Sequence, residues 1–326
     1  NSKQENSHMA INVRGLGILS YLKFIFKVMG VAYNLNNIDV LFIDDRRAVI
    51  PGLIIKIFKN PKITIQDARE LCLMNEFNYL RAKIGCFVEA LLIKRADILI
   101  CANKYRSKIM QEYYSLSEMP LVYENIRKLE FDNDYSMKEI ESKFNAILED
   151  HTFRIISTSG YGIKRTNDRL VLAMKDLGEK FELLLVGGGI KEDQKRITEL
   201  IQKNKIENVH IIDKLGANEL KYLIQQCQVG VVNYSKKDTD NKFCASGKIY
   251  EFVFEGLPVI TTENLPLVEL VERYHIGVSN DNYHNGIITI YKNYLYYKQN
   301  VLSFAKSIDV DTNNRQLVKL IKERIH

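Results

Sequence analysis

The sequence predicts an α/β protein built from two doubly wound parallel-sheet domains, and three observations carry that prediction. Short, nearly all-apolar runs that end in polar residues recur along the chain, the first being Asp39-Val-Leu-Phe-Ile-Asp44. Such runs are the mark of strands buried on both faces of a parallel sheet. Stretches with apolar residues at helical spacing separate them, and strands alternating with helices call for right-handed crossovers. Finally, 326 residues exceed what one hydrophobic core usually serves.

Gly17 to Tyr33 reads as a helix, with Leu19, Leu22, Ile25, Phe26 and Met29 at helical spacing. After the strand Asp39–Asp44 comes a helical stretch, Ala48–Phe58, in spite of Pro51 and Gly52, and then a strand at Ile63–Asp67. A long helix over Leu80–Arg95 leads to the strand Ala96–Cys101, the helix Lys104–Tyr114 and a fourth strand at Pro120–Glu124. From Lys128 to Thr152 the pattern weakens into charged and polar residues, which read as a connection.

A more regular series opens at Phe153–Ser157, with strands at Phe181–Val186, Val209–Ile212, Val229–Asn233, Pro258–Thr261 and Gly277–Ser279. Helices fall between them at Asn167–Leu177, Glu192–Lys203, Ala217–Cys227, Gly247–Phe254 and Pro266–Arg273. Two more, Tyr291–Ala305 and Asn314–Ile325, close the chain. The expected division is a first domain over 1–135, a linker over 136–152, a second domain over 153–290 and C-terminal helices over 291–326.

Composition narrows the function classes. An apolar fraction of 46% and a charged fraction of 26% are ordinary for a globular protein. The five cysteines (Cys72, Cys86, Cys101, Cys227, Cys244) show no C-x-x-C spacing and are odd in number, which reads as reduced thiols in a cytoplasmic protein. His8, His151, His210, His275, His284 and His326 are scattered, so no histidine-built metal site is expected. No run is long enough to span a bilayer: Ile18–Val31 carries Lys23 and Lys27. The start, Asn1 to His8, is polar and lacks a methionine at position 1, reading as a cloning remnant or the edge of something cut away.

Charge is unevenly placed. To Phe131 there are 19 Lys/Arg against 13 Asp/Glu, whereas the remainder holds 27 of each. A basic first half suits an anionic partner, either a phosphate-bearing acceptor or an acidic membrane surface at the inner face of the cell membrane. An ordinary surplus of surface lysines reads the same way. No nucleic-acid partner is expected, and homo-oligomerisation stays open.

In doubly wound sheets, ligands bind at the carboxyl ends of the strands. Three stretches there carry chemistry. The first is Ser157-Thr-Ser-Gly160-Tyr-Gly162-Ile-Lys164-Arg165, where glycines let a ligand approach the backbone and two cations could neutralise a diphosphate. The second is Val186-Gly187-Gly188-Gly189, which suits either a ligand or a tight strand-to-helix turn.

The third stretch is the most specific: Ala245-Ser246-Gly247-Lys248-Ile-Tyr-Glu251-Phe-Val-Phe-Glu255-Gly256-Leu-Pro258-Val-Ile. Ser246 and Gly247 would open a helix whose unpaired N–H groups and positive end favour phosphate. Lys248 adds a charge, and Glu251 lies one turn on, able to accept both ribose hydroxyls. A surface Lys–Glu pair would look alike, worth only about 0.2–0.5 kcal/mol.

This third stretch resembles the nucleotide-sugar signature of glycosyltransferases with two Rossmann-like domains (GT-B type), in particular the retaining family 4 group. In those, a helix-borne glutamate precedes Gly-x-Pro-Val-Ile by five residues, as Glu251 precedes Gly256 here. The resemblance extends over Phe153–Gly160, Phe181–Gly189 and Val209–Cys227, and into the first domain over Asp39–Asp44, Ile63–Glu70 and Ala96–Tyr105.

It implies two domains facing across a cleft. It also implies a hexosyl transfer from a nucleoside diphosphate sugar, UDP-linked by frequency. The acceptor would be a glycan or lipid-linked glycan of bacterial surface polysaccharide or glycoprotein synthesis, and no cofactor or metal is needed. Glu251 would bind the ribose, and Lys248 with the N–H groups around Ser246 and Gly247 the diphosphate. Lys164 or Arg165 would neutralise the leaving phosphate, and Lys214 with Leu215 would face the base. Gly160, Gly162 and Gly188 would let the donor approach.

Two departures stand out. Phe243 occupies the place of the first glutamate in the family's Glu-x7-Glu pair, which normally touches the sugar. The front of the chain enters at a later helix, with only Arg14-Gly15-Leu16-Gly17 offering glycines, so the first domain reads as lacking its first strands. Its acceptor-side candidates are Asp67, Arg69 and Glu70, flanked by Asp44, Asp45, Arg46 and Arg47 after one strand and Asn103, Lys104 and Arg106 after another. Salt-bridged helix caps give the same letters. Two rivals follow: a non-catalytic partner that resembles a transferase, and a nucleotide-sugar epimerase, which would need acids or histidines for proton abstraction.

Overall fold

The computed structural model describes residues 17–132, 135–148 and 152–325, and the chain divides into two compact units. Unit 1 comprises residues 1–123 with 313–326, and unit 2 comprises residues 124–312. Of the front motif, Arg14, Gly15 and Leu16 lie outside the described residues, as do His8, His151 and His326.

Unit 1 holds a four-stranded parallel sheet: β1 Val40–Asp44, β2 Ile63–Ala68, β3 Ile98–Cys101 and β4 Leu121–Val122, in the order β1-β2-β3-β4. Ile63, Ile65, Ile98 and Ile100 bury one face. Its cover includes Leu317, Leu320 and Ile321 of the helix Thr312–Ile325, which is why this helix belongs to unit 1 although it is far off in sequence. Arg324 of that helix donates to Glu118 at 2.8 Å.

Unit 2 holds six parallel strands: β5 Phe153–Ser157, β6 Phe181–Val186, β7 Val209–Ile212, β8 Val229–Val232, β9 Val259–Thr261 and β10 Gly277–Ser279. Their order, β10-β9-β8-β5-β6-β7, steps outward from β5 to β7, then reverses through β8 to β10. The reversal between β5 and β8 is a topological switch point, where such sheets open a ligand crevice. Two apolar clusters bury its faces, one around Ile156, Leu184, Phe252 and Val253, the other around Ile155, Leu183, Val231 and Ile287.

The expected division needs three corrections. The segment 136–152 is no bare linker: Met137–Leu148 is a helix whose Ile140 and Phe144, one turn apart, are buried in unit 2's core. The C-terminal helices do not form one group, since Tyr294–Ser307 buries Val301 and Phe304 in unit 2 while Thr312–Ile325 packs in unit 1. A further helix, Tyr283–Lys292, precedes Asn293; its start is rich in Asn and His, which hid the buried stripe Tyr283, Ile287 and Ile290.

Among the described residues, no helix is long and apolar enough to cross a membrane. All five cysteines are buried, unbridged thiols.

Candidate functional site

The switch point is built by the residues that follow β5 and β8. Ser157 and Ser159 hydroxyls lie 2.9 Å apart, and Ser159 donates to Asn233 Oδ1 at 2.9 Å. Asn233 donates in turn to Asn167 Oδ1 at 2.8 Å, and Asn167 Nδ2 donates to the Gly160 and Gly162 carbonyls at 2.8 and 3.2 Å. Ser157, Asn167 and Asn233 are buried, so each polar atom is matched within this network, as burial requires. The network fixes the loop that presents Lys164 and Arg165.

The glycines divide by what they touch. Gly160 has φ +67°, and a Cβ there would stand 1.9 Å from the Gly188 carbonyl oxygen. Gly187, at φ +122°, lies against Gly160 Cα, and a Cβ on Gly189 would meet the Tyr161 ring at 2.7 Å. Those three are demanded by close packing of the loops after β5 and β6. Gly162 starts the single-turn 3-10 helix Ile163–Arg165. At Gly188 a Cβ would meet nothing within 4 Å, so of the triplet it is the residue that leaves space at the strand ends.

The helix Gly247–Phe254 carries the remaining donor-side candidates. Ser246 is its N-cap; the residue is buried, yet its hydroxyl has no hydrogen-bond partner. An unmatched buried hydroxyl costs about 1–3 kcal/mol, and a ligand acceptor at the helix N-terminus would satisfy it. Gly247 is required by its neighbours, since a Cβ would stand 2.5 Å from Arg127 Cδ and 3.0 Å from Asn125 Nδ2. Glu251 is buried and pairs with Arg127 (Nε to Oε1, 3.4 Å). Tyr250, beside it, donates to Glu124 Oε2 at 2.7 Å.

Lys248 sits in a field of like charge. Burial first, and the nearby Arg165 and Arg127 cations next, pull its pKa down to about 8, with Glu251 opposing. Of the two cations left as alternatives by the sequence, it is Arg165 whose charge reaches Lys248; its guanidinium rests on the Tyr234 ring, 3.9 Å from the centroid, while Lys164 is exposed. Anion binding should therefore be sensitive to mild alkali. Above pH 8 Lys248 loses its proton, so affinity for a diphosphate is expected to fall between pH 8 and 9, where an ordinary lysine would keep its charge. Titrations in buffers of different ionisation enthalpy would register proton uptake on binding in that window; constant affinity to pH 9.5 would contradict it.

Lys214 and Leu215 follow β7. Lys214 is exposed, and Leu215 is partly buried against the core. Phe243, partly buried, follows the one-turn helix Thr239–Lys242, which Asp238 caps.

In unit 1 the acceptor-side candidates lie at the ends of β1 and β2. Asp44 and Asp67 are register partners. Arg69 clamps Asp44 with two contacts, at 2.5 and 2.6 Å, and lies 3.9 Å from Asp67. Burial and then Asp44 raise the Asp67 pKa to about 6, with Arg69 opposing. Glu70 is exposed, and so are Arg47 and Lys104. Asn103 is a helix cap, accepting from Arg106 N, and Asp45 caps the turn at Arg46. A buried carboxylate that sequence reading missed lies close by: Glu89, on the helix Leu80–Ile93, faces the half-buried Arg46 at 3.1 Å.

Sequence reading also missed Arg127, Tyr234 and Asn167. Arg127 fell within the span expected for the first domain, between its fourth strand and the connection that opens at Lys128. A polar residue two places past Asn125, ahead of the second domain's first strand, gave no periodic signal.

No protein-family model matches the sequence, and no curated protein matches it. Solved structures do match. Anabaena HepE in complex with UDP-glucose superposes with a TM-score of 0.74 at 17% identity, covering 94% of this chain and 84% of that one. Sucrose-phosphate synthase from Thermosynechococcus elongatus gives 0.72 at 17% identity, covering 94% and 78%. A Listeria monocytogenes protein assigned as a UDP-N-acetylglucosamine 2-epimerase gives 0.61 at 13%, covering 96% and 82%. The chain therefore has two parallel-sheet α/β units and shares the fold of the GT-B glycosyltransferase structures. At these identities the likeness concerns the fold alone.

Proposed function

We propose that the protein is a glycosyltransferase that takes its sugar from a nucleoside diphosphate sugar bound in unit 2, UDP being the favoured nucleotide. The observation that carries this reading is the start of the helix Gly247–Phe254. There an unmatched buried hydroxyl (Ser246), a half-buried lysine crowded by two arginines (Lys248) and a buried carboxylate (Glu251) converge. A nucleotide satisfies all three: phosphate oxygens accept from Ser246 and Lys248, and ribose hydroxyls donate to Glu251. HepE, of the same fold, was solved with UDP-glucose, which supports the choice of base.

The mechanism needs charge at the right place more than it needs proton transfer. As the glycosidic bond breaks, negative charge grows on the departing diphosphate. Lys248, Arg165 and the helix N-terminus stabilise that charge from fixed positions, which is where electrostatic catalysis is strongest. The reaction as proposed uses no metal and retains the anomeric configuration. Transfer goes to a glycan or lipid-linked glycan, within bacterial surface polysaccharide or glycoprotein synthesis, with Asp67, Arg69 and Glu70 holding the acceptor.

A place at the inner face of the cell membrane has support in charge. Unit 1 holds 21 Lys/Arg against 12 Asp/Glu, a surplus of nine, whereas unit 2 holds 25 against 28. The helix Ile18–Asn34 in unit 1 exposes Leu19, Leu22 and Phe26 beside Lys23 and Lys27 and contains no acid, a composition suited to an anionic lipid surface.

Incubation with UDP-sugars and detection of released UDP, with and without candidate acceptors, tests the function. Release of UDP coupled to a lengthened acceptor supports it. Two other outcomes would replace it. Interconversion of UDP-sugars without UDP release would favour the epimerase reading, which the Listeria structure motivates. Nucleotide binding without turnover would favour a non-catalytic partner, the reading that Phe243 motivates.

A further inference from the structure

Arg127 stands where the donor site's carboxylate and cations meet. Its Nε lies 3.4 Å from Glu251 Oε1, the arginine being largely exposed and the glutamate buried. The arm reaches that position across Gly247, whose missing Cβ would stand 2.5 Å from Arg127 Cδ and 2.9 Å from Cγ. The same guanidinium charge bears on Lys248, alongside Arg165. One residue thus touches the ribose-binding carboxylate and lies over the first turn of the phosphate-binding helix.

The two halves of a nucleotide make opposite demands on this side chain. Ribose hydroxyls that donate to both oxygens of Glu251 need Oε1, which Arg127 holds. A diphosphate at the helix N-terminus brings negative charge to the same neighbourhood, and a guanidinium is a planar fork suited to phosphate oxygens.

We propose that Arg127 is a specificity-determining residue that exchanges partners: the ribose takes Glu251 from it, and the diphosphate of the same nucleotide takes the guanidinium. A nucleoside displaces the cation and offers it nothing in return. A nucleoside diphosphate displaces it and re-engages it. The site thereby selects intact donor and released nucleotide over nucleoside. This inference rests on the donor-site reading above and deepens it.

The test compares uridine and UDP on wild type, Arg127→Ala and Arg127→Lys, with UDP read by calorimetry and uridine by ligand-detected NMR. Arg127→Ala should weaken UDP about tenfold or more, the loss of one charge-assisted contact. Uridine binding should be unchanged or tighter. Arg127→Lys should restore part of the UDP affinity. The side chain is largely exposed, so the variants should keep the wild-type circular dichroism spectrum and melting temperature. Equal weakening of both ligands would make Arg127 a structural residue and overturn the proposal, and unaltered UDP affinity would do the same. If wild type binds neither UDP nor GDP, the donor-site reading itself falls. Normal binding by wild type with no split in the variant removes the Arg127 proposal alone.

Discussion

Glu251→Ala is expected to weaken nucleotide binding at least tenfold, about 1.4 kcal/mol, and to leave the fold intact. The carboxylate is buried, so in water-poor surroundings the bonds proposed from ribose hydroxyls to it would count for more than surface contacts. It is also the counter-charge that holds the Lys248 pKa up against Arg165 and Arg127. Its removal therefore drives Lys248 toward its neutral form and weakens diphosphate binding as well. Stability should change little or rise, because a buried charge is expensive to keep. Glu251→Gln keeps the shape but not the charge, and should fall between. Calorimetric titration of UDP and then GDP into wild type, Glu251→Ala and Lys248→Ala would decide. Wild-type affinity in Glu251→Ala would remove the donor site from this helix.

The second large effect concerns stability in unit 1. Glu89 is buried, and burial lifts its pKa to about 7 despite Arg46 beside it. Arg46 Nε stands 3.1 Å from Glu89 Oε2, but that oxygen makes no hydrogen bond, so the attraction does not repay the loss of water. A carboxyl group whose folded pKa lies above its unfolded value near 4.5 binds its proton more tightly when folded. Its stabilising contribution is complete below pH 4.5 and is lost as pH rises through 7. The size is about 3 kcal/mol. Asp67, raised to about 6, tilts the balance the same way. Chemical denaturation at pH 5 and pH 7.5, followed by hydrogen exchange on β2 and β3, should find unit 1 weaker at the higher pH. Glu89→Gln should flatten the difference, and a wild-type unit 1 that is no weaker at pH 7.5 would refute the assignment.

What the sequence revealed followed from how loudly each segment repeats. The strands Phe153–Ser157, Phe181–Val186 and Val209–Ile212 and the helices Lys104–Tyr114 and Gly247–Phe254 stand at the residues where apolar runs and spacing place them. Met137–Leu148 escaped although Met137, Ile140, Phe144, Ile147 and Leu148 fall at helical spacing and pack on the core, because the charged residues between them dominate the stretch. Tyr283–Lys292 escaped because Asn282, His284, Asn285 and Gly286 look like a loop, although Asn282 is the cap.

The site shows the same divide. Ser246, Gly247, Lys248 and Glu251 lie within six successive residues at the start of one helix and could be read together. Arg127 reaches Glu251 from 124 positions upstream, and Tyr234 reaches Arg165 from the next half of the sheet. Contacts of that kind are set by topology, and no local pattern announces them. The glycines serve two ends that spacing alone does not separate: Gly160, Gly187 and Gly189 pack against one another and Tyr161, whereas a Cβ on Gly188 would meet nothing within 4 Å and one on Gly162 only Asp193, at 4.0 Å.

The helix Thr312–Ile325 gives the chain an order of assembly. Unit 2 is an unbroken run from 124 to 312, inserted between two pieces of unit 1. During translation the strands β1 to β4 leave the ribosome first, yet the face of Ile63 and Ile98 has only part of its cover, from Leu121 and Tyr123, until Leu317, Leu320 and Ile321 arrive some two hundred residues later. Unit 2 can settle while its host still waits. In the interval the nascent chain displays an isoleucine-rich sheet face, the kind of surface that recruits chaperones or aggregates.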